Sequence, residues 1–140
     1  MSTVLWANRL IDGAVTSDQS DKYAMHKHLS KIDEIASGAG VMALSEICDT
    51  TDLRFNIEDL SLPEGMASTN EWMAVQGVWV DAEAAASQLA ALIDAIETRK
   101  PRFGLIRNDY EAVVAELRES LAFAREAAAQ AAKFNFAIVM

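Results

Sequence analysis

The sequence predicts a mainly helical α+β domain: a small helical bundle with a long antiparallel helix pair and a short antiparallel β ribbon from the chain ends. Three observations lead to this class. Segments 82–98 and 109–132 repeat apolar residues at spacings of four and three, as amphipathic helices do. Asp12-Gly13 lies between apolar residues near the N-terminus, and segment 134–139 alternates apolar side chains. The length of 140 residues suits a single domain, residues 1–140.

The N-terminal third predicts a hairpin followed by two helices. Asp12-Gly13 is typical of a two-residue hairpin turn, and apolar residues flank it on both sides. Serine and aspartate caps precede segment 21–36, whose apolar residues are spaced by four, three and four, so we expect a helix there. Segment 41–48 predicts a second, shorter helix.

The middle of the chain carries the weakest periodicity. Segment 49–70 predicts an extended loop with one helical turn near residues 57–60. A capping box at Ser68-Thr69-Asn70-Glu71 predicts a brief helical turn. Residues 75–80, Val-Gln-Gly-Val-Trp-Val, are rich in strand-forming side chains and predict a strand that joins the ribbon.

The last third predicts two long helices and a strand. Pro101 stops the helix of residues 82–98, and a second capping box at 108–111 opens the helix of residues 109–132. Because about ten residues join the two helices, we expect them to pack antiparallel. Residues 134–139 then predict a strand paired with the N-terminal or the central one.

Negative charge is concentrated in one part of the chain. Residues 38–98 hold eleven acidic side chains and one base, Arg54, which gives a formal charge of −10 against −9 for the whole chain. Such a field favours a basic protein partner and disfavours nucleic acid. The first functional hypothesis is therefore an interaction module, similar in role to immunity or inhibitor proteins, that binds through the central acidic segment, residues 46–71. The predicted partner-binding residues are Asp49, Asp52, Glu58, Asp59, Glu64 and Trp72.

Two alternatives stay open. If a helix continued through Asp52, the carboxylates of Glu46, Asp49 and Asp52 would share one edge and could hold a divalent cation for an enzyme or a small-molecule binder. Apart from these three carboxylates, the sequence carries no motif for catalysis and none for a cofactor. The second alternative is a structural homodimer formed through the last helix, where Phe123 lies off the apolar stripe and either widens the core or marks a contact face.

A structural explanation of the acidic segment competes with the partner hypothesis. Arg118 and Arg125 lie on one flank of the last predicted helix, with Arg107 near its foot, and the acidic segment could pack across this edge and be neutralised within the chain. Cys48 is the only cysteine, so no internal disulfide forms. With neither an apolar signal segment nor a membrane span in the sequence, we expect a cytoplasmic protein that does not enter membranes.

Overall fold

A computed structural model describes residues 2–140 and confirms the mixed α+β class. Five strands form one sheet, and the helices lie on both of its faces. The strands are β1 (Val4–Ile11), β2 (Ala14–Ser17), β3 (Cys48–Asp49), β4 (Val80–Asp81) and β5 (Lys133–Val139). The α-helices are α1 (Tyr23–Lys27), α2 (Leu29–Gly38), α3 (Thr51–Glu58), α4 (Thr69–Gln76), α5 (Ala82–Arg99) and α6 (Tyr110–Ala129), and a 3-10 helix spans Leu44–Ile47.

The sheet joins the two ends of the chain. Its strand order is β2-β1-β5-β3, and β4 pairs with β5 beside β3. β1 and β2 form the hairpin that the sequence predicts, and Asp12 and Gly13 in the turn have φ of 49° and 78°. Positive φ at both turn residues is the geometry that matches the twist of the strands. β1 and β5 pair antiparallel over seven residues, from Val4 opposite Val139 to Leu10 opposite Lys133.

β5 is the central strand rather than one side of a peripheral ribbon. It pairs antiparallel with β1 on one side, and on the other side it pairs with β3 in parallel and with β4 antiparallel. Its residues from Phe134 to Ile138 are all buried, so both of its faces are covered. The predicted short ribbon is thus a five-stranded sheet, and the helices pack on it as layers instead of forming a bundle of their own.

One face of the sheet carries the hydrophobic core. Leu5 and Ala7 of β1 and Phe134 and Phe136 of β5 point to this face and join a cluster with the apolar sides of α1, α2, α5 and α6. The two long helices, α5 and α6, pack against each other, and α6 contacts both β1 and β5. Phe123 of α6 lies 6.4 Å from the ring of Phe134, so it widens the core.

The opposite face of the sheet is covered only in part. α3 contacts β5, α4 contacts β2, and the two helices contact each other. The sequence predicts an extended loop for residues 49–70, but α3 occupies residues 51–58. That prediction was wrong for α3 because the helix is short and buries no residue completely, which leaves a weak apolar period to detect.

The helix predicted for residues 21–36 is two helices. α1 ends and α2 begins at His28, where φ of −108° and ψ of 22° interrupt the helix. The His28 ring is held by Asp109, with 2.8 Å between Nε2 and Oδ2, and lies against Phe103. The helix predicted for residues 41–48 is only the 3-10 turn of residues 44–47, followed by the short strand β3.

The strand predicted for residues 75–80 is mostly wrong. Val75 and Gln76 end α4, Gly77 caps it, and only Val80 belongs to a strand, the two-residue β4. The capping box at Ser68 starts a helix of eight residues, and this helix overrides the strand preference of Val75. By contrast, α5, α6 and β5 match their predicted ranges to within three residues at each end.

Candidate functional site

A groove of about 840 Å³ lies between the open face of the sheet and the α3–α4 pair. We call it the sheet groove. Side chains of β1, β2 and β5 form its floor, and residues of α3 and α4 form its other wall. The cavity has the volume of a ligand site, for which about 300–1,000 Å³ is usual.

Strand alternation decides which residues reach the sheet groove. Successive side chains of a strand point to opposite faces, so Val4, Trp6 and Asn8 face the groove while Leu5 and Ala7 face the core. The groove floor carries both polar and apolar side chains. The apolar floor residues are Val4, Val15, Ala137 and Val139.

A tryptophan and an aspartate meet on one side of the sheet groove. The Nε1 of Trp6 donates a hydrogen bond of 2.7 Å to Oδ1 of Asp21, which is exposed. The bond fixes the indole beside a carboxylate. An aromatic ring next to a carboxylate is a favourable place for an ammonium or guanidinium group, because both attract a cation.

Asp52 lies on the other wall of the sheet groove, in the first turn of α3. Its Oδ1 accepts a hydrogen bond of 3.0 Å from the hydroxyl of Thr69, and its Oδ2 accepts one of 3.2 Å from the amide of Asn56. The bond to Thr69 connects α3 to the start of α4. Asp52 is therefore held in place at the groove wall, where the residue is partly exposed.

The charge of the sheet groove has one sign. Asp21 and Asp52 line it, and the described residues of its lining include neither lysine nor arginine. A cavity lined by one sign of charge concentrates the field inside it. The arrangement suits a positively charged, partly apolar ligand.

Asp49, which the sequence assigns to partner binding, has a different environment. It is only 3% exposed, and its carboxylate accepts backbone N–H groups from Thr51 at 2.8 Å and from Val78 at 2.9 Å. These two bonds connect β3 to the start of α3 and to the segment before β4. We therefore correct this assignment: Asp49 is a structural carboxylate in the interior and does not belong to a binding surface.

The other predicted carboxylates lie on the surface near α3. Glu58 is paired with Arg54 of the same helix, with 3.7 Å between oxygen and nitrogen. Asp59 and Glu64 are exposed, and within residues 2–140 neither forms an ion pair. They lie outside the sheet groove but on the same region of the chain as Asp52.

Trp72 belongs to α4 and lies on the side that meets α3, away from the sheet groove. It borders a small cavity of about 60 Å³ with Thr51, Arg54, Leu60 and Gln76. Its Nε1 is buried and has no hydrogen-bond partner among the residues that the structure describes. Trp72 therefore lies where α3 and α4 meet and does not line the sheet groove.

The structure does not assemble the metal site considered from the sequence. Glu46 lies on the 3-10 helix, Asp49 on β3 and Asp52 on α3, so no continuous helix aligns them. In the described part of the chain, no three side chains of the metal-ligating types come close enough to hold one ion. The premise of that alternative was wrong because the turn at Thr50 separates Asp49 from Asp52.

The arginines of α6 and of the loop before it do not neutralise the central acidic segment. Arg118 pairs with Glu97 of α5 at 2.6 Å, and Arg107 pairs with Asp109 at 3.2 Å. For Arg125, no ion pair occurs within residues 2–140. The internal-neutralisation explanation is therefore wrong for these three arginines.

A second polar cluster lies at the start of α6. Asp109 is buried and contacts His28, Lys27 and Arg107. The hydrogen bond from His28 is the main reason why the pKa of Asp109 lies below its usual range, and Lys27 and Arg107 lower this pKa further. Burial acts in the opposite direction. Nearby, burial raises the pKa of Glu116, although its carboxylate accepts backbone N–H groups from α1. These groups are satisfied by their own neighbours, so the cluster fastens α1 to α6.

Cys48 carries no reactive thiol. Burial, with the nearby charges of Asp33 and Asp49, raises its pKa to about 12. Its Sγ donates to the carbonyl of Leu44 at 3.4 Å. Since the thiolate is the nucleophilic form, Cys48 is a packing residue.

Sequence reasoning missed most of the sheet groove. Asp52 is the one groove residue among the predicted binding residues, whereas Trp6 and Asp21 received no role. One signal was present in the sequence: Trp6 and Asn8 alternate with Leu5 and Ala7, which places polar and aromatic groups on one face of the strand.

Comparison with models of known protein families, with curated proteins and with solved structures finds no match. Among residues 2–140, no helix combines the length and the apolar character needed to cross a membrane.

Proposed function

We propose that this protein is an acidic interaction module whose sheet groove binds a basic segment of a partner protein. The role is that of immunity and inhibitor proteins, which cover a basic surface with carboxylates. One observation carries the proposal: Asp21 and Asp52 line a groove that also holds Trp6 and several apolar side chains, and the described lining contains neither lysine nor arginine.

The proposed ligand follows from these groups. A lysine or arginine side chain in the groove can reach the carboxylates of Asp21 and Asp52 with its charged end. Its methylene stem, or an apolar neighbour, covers the floor at Val4 and Val139. An extended segment that alternates basic and apolar residues matches both features, because alternate side chains point in the same direction.

The exposed carboxylates outside the groove add a long-range contribution. Asp59 and Glu64 follow the end of α3, and the whole chain carries a net charge of −9. Their field attracts a basic partner before contact and accelerates association, most strongly at low salt. The groove then provides the specific contacts.

A test uses short peptides as probes. We expect the peptide Lys-Val-Lys-Val-Lys to bind and Glu-Val-Glu-Val-Glu not to bind, as measured by anisotropy of a labelled peptide. The double variant Asp21→Asn/Asp52→Asn should weaken binding by roughly two- to thirtyfold, since exposed ion pairs of this kind contribute about 0.2–1 kcal/mol each. Asparagine can still accept from Trp6 and from Thr69, so the fold is retained.

The matched control removes two charges elsewhere. Asp94 of α5 and Glu126 of α6 are exposed and lie outside the groove. The variant Asp94→Asn/Glu126→Gln therefore has the same net charge as the groove variant. If both double variants weaken binding equally, only the overall charge matters and the proposed site is rejected.

A further inference from the structure

The loop between α5 and α6, residues 100–109, presents two aliphatic side chains to solvent. Leu105 is 96% exposed and Ile106 is 100% exposed, the two highest values among the large apolar residues that the structure describes. We call Leu105 and Ile106 the loop tip. Two adjacent, fully exposed aliphatic residues cost free energy in water unless something covers them.

The loop holds its tip outward by its own contacts. At its base, Phe103 is fully buried, and the N–H of Asp109 donates to the carbonyl of Phe103 at 2.8 Å. Arg102 donates to the carbonyls of Gly104 at 2.8 Å and of Leu105 at 3.0 Å. The tip is therefore fixed in the free protein, which lowers the entropy lost when it binds.

Gly104 makes this shape possible. Its φ is +108°, and a Cβ atom at this position would lie 2.3 Å from the carbonyl oxygen of Arg107. Only glycine fits both the dihedral and the close approach. The turn that exposes the tip therefore requires glycine at position 104.

The surroundings of the tip are basic although the chain as a whole is acidic. Residues 99–108 contain four bases and no acid. The bases are Arg99, Lys100, Arg102 and Arg107. The occupant that covers the tip must therefore combine an apolar area with carboxylates.

We propose that the loop tip of one copy docks in the sheet groove of a second copy. The inference deepens the proposed function, on which it rests, by identifying one basic and apolar segment that the groove binds. The groove matches the tip and its basic surroundings. It has apolar side chains on its floor and the carboxylates of Asp21 and Asp52, and its described lining contains neither lysine nor arginine. Leu105 and Ile106 cover the floor, and the four bases of residues 99–108 complement the charge of Asp21 and Asp52.

This pairing differs from a dimer through the last helix. Each copy offers one tip and one groove, so the contact is head-to-tail and continues from copy to copy unless a ring closes. An anionic lipid surface is the other candidate for the tip, but the net charge of −9 repels it. The contact is small, so we expect weak association that depends on protein concentration.

Sedimentation velocity over a series of protein concentrations tests the proposal. At about 0.1 M salt the net repulsion between copies is screened beyond about 10 Å while contact pairs persist. We expect the wild type to sediment faster as concentration rises. The tip variant Leu105→Ser/Ile106→Ser and the groove variant Asp21→Asn/Asp52→Asn should each sediment as monomers or nearly so.

Mixing the two variants is the decisive step. The tip variant keeps an intact groove and the groove variant keeps an intact tip, so the mixture should form a complex of one copy of each, joined by one contact and unable to add further copies. The control Ile57→Ser/Val75→Ser removes two other exposed aliphatic side chains, 65% and 73% exposed and outside the groove, and should associate like the wild type.

Three results would overturn the inference: a wild type that stays monomeric, a tip variant that associates like the wild type, or a mixture without a complex. Binding of the wild type to phosphatidylglycerol vesicles through the tip, without self-association, also rejects it. In each case the peptide experiment still decides the proposed function, because a groove that binds Lys-Val-Lys-Val-Lys survives the loss of this inference alone.

Discussion

Asp49 and Asp52 are three residues apart in the sequence but have opposite surroundings in the structure. Asp49 is buried and satisfied by two backbone N–H groups, whereas Asp52 faces the sheet groove. The difference depends on Val78, whose N–H lies 29 residues away along the chain. No local pattern contains this information, so sequence reasoning assigned both carboxylates the same role.

We predict that Asp49→Asn destabilises the fold. An amide has only one acceptor oxygen, so either Thr51 or Val78 loses its acceptor and faces an amide donor instead. An unsatisfied buried group of this kind costs about 1–3 kcal/mol. Urea unfolding measures the change, and Glu64→Gln, an exposed position, should stay within about 0.5 kcal/mol. Equal stability of the Asp49→Asn protein and the wild type would show that Asp49 is not structural.

Asp109 should make part of the stability dependent on pH. The hydrogen bond from His28, helped by Lys27 and Arg107, keeps the pKa of Asp109 lower in the folded state than in the unfolded chain. The unfolded state then binds the proton first on acidification. The stabilisation is therefore present above about pH 4, the ordinary aspartate value, and is lost as pH falls through the folded pKa.

The variant Asp109→Asn checks this sign. We expect its free energy of unfolding to fall less steeply than that of the wild type when pH is lowered from about 5 to about 3. Urea unfolding at a series of pH values measures both slopes. The exposed Asp94→Asn should keep the slope of the wild type. Identical slopes for the Asp109→Asn protein and the wild type would remove Asp109 from the acid response.

At the scale of elements, local signals predict some structures and fail for others. The Asp12-Gly13 turn was predicted because two neighbouring residues determine its geometry. α5 and α6 were predicted because each has a long apolar period within one segment of the sequence. β3 and β4 have two residues each and exist only because β5 pairs with them. Strands this short have no period of their own, so the sequence could not reveal them.

The wall of the sheet groove depends on the start of α4. The hydroxyl of Ser68 accepts from the N–H of Glu71 at 3.4 Å, and the carboxylate of Glu71 accepts from the N–H of Ala67 at 2.7 Å. We predict that Ser68→Ala lowers the free energy of unfolding by about 1 kcal/mol. Thermal or urea unfolding measures the loss, and Ser61→Ala in the exposed loop before α4 should have no effect. A Ser68→Ala protein as stable as the wild type would show that the cap does not support α4.

At the scale of the whole molecule, the sheet groove exists because distant segments meet. β1 and β5 form its floor from opposite ends of the chain, and α3 and α4 form its wall from the middle. The sequence indicated the sign of the charge through the acidic segment that contains Asp52. It could not indicate the floor, because the partners Val4 and Val139 are separated by almost the full length of the chain.

The central position of β5 makes the C-terminus essential to the entire fold. Removing residues 133–140 deletes the strand that pairs with β1, β3 and β4 and removes Phe134 and Phe136 from the core. We predict that this truncated chain has no cooperative unfolding transition by circular dichroism, since the remaining helices lose the sheet on which they pack. Removing Met140 alone, which lies outside β5, should leave the transition intact. A cooperative transition in the longer truncation would mean that the helical layer folds by itself, and the sheet groove would then be an addition to an independent helical core.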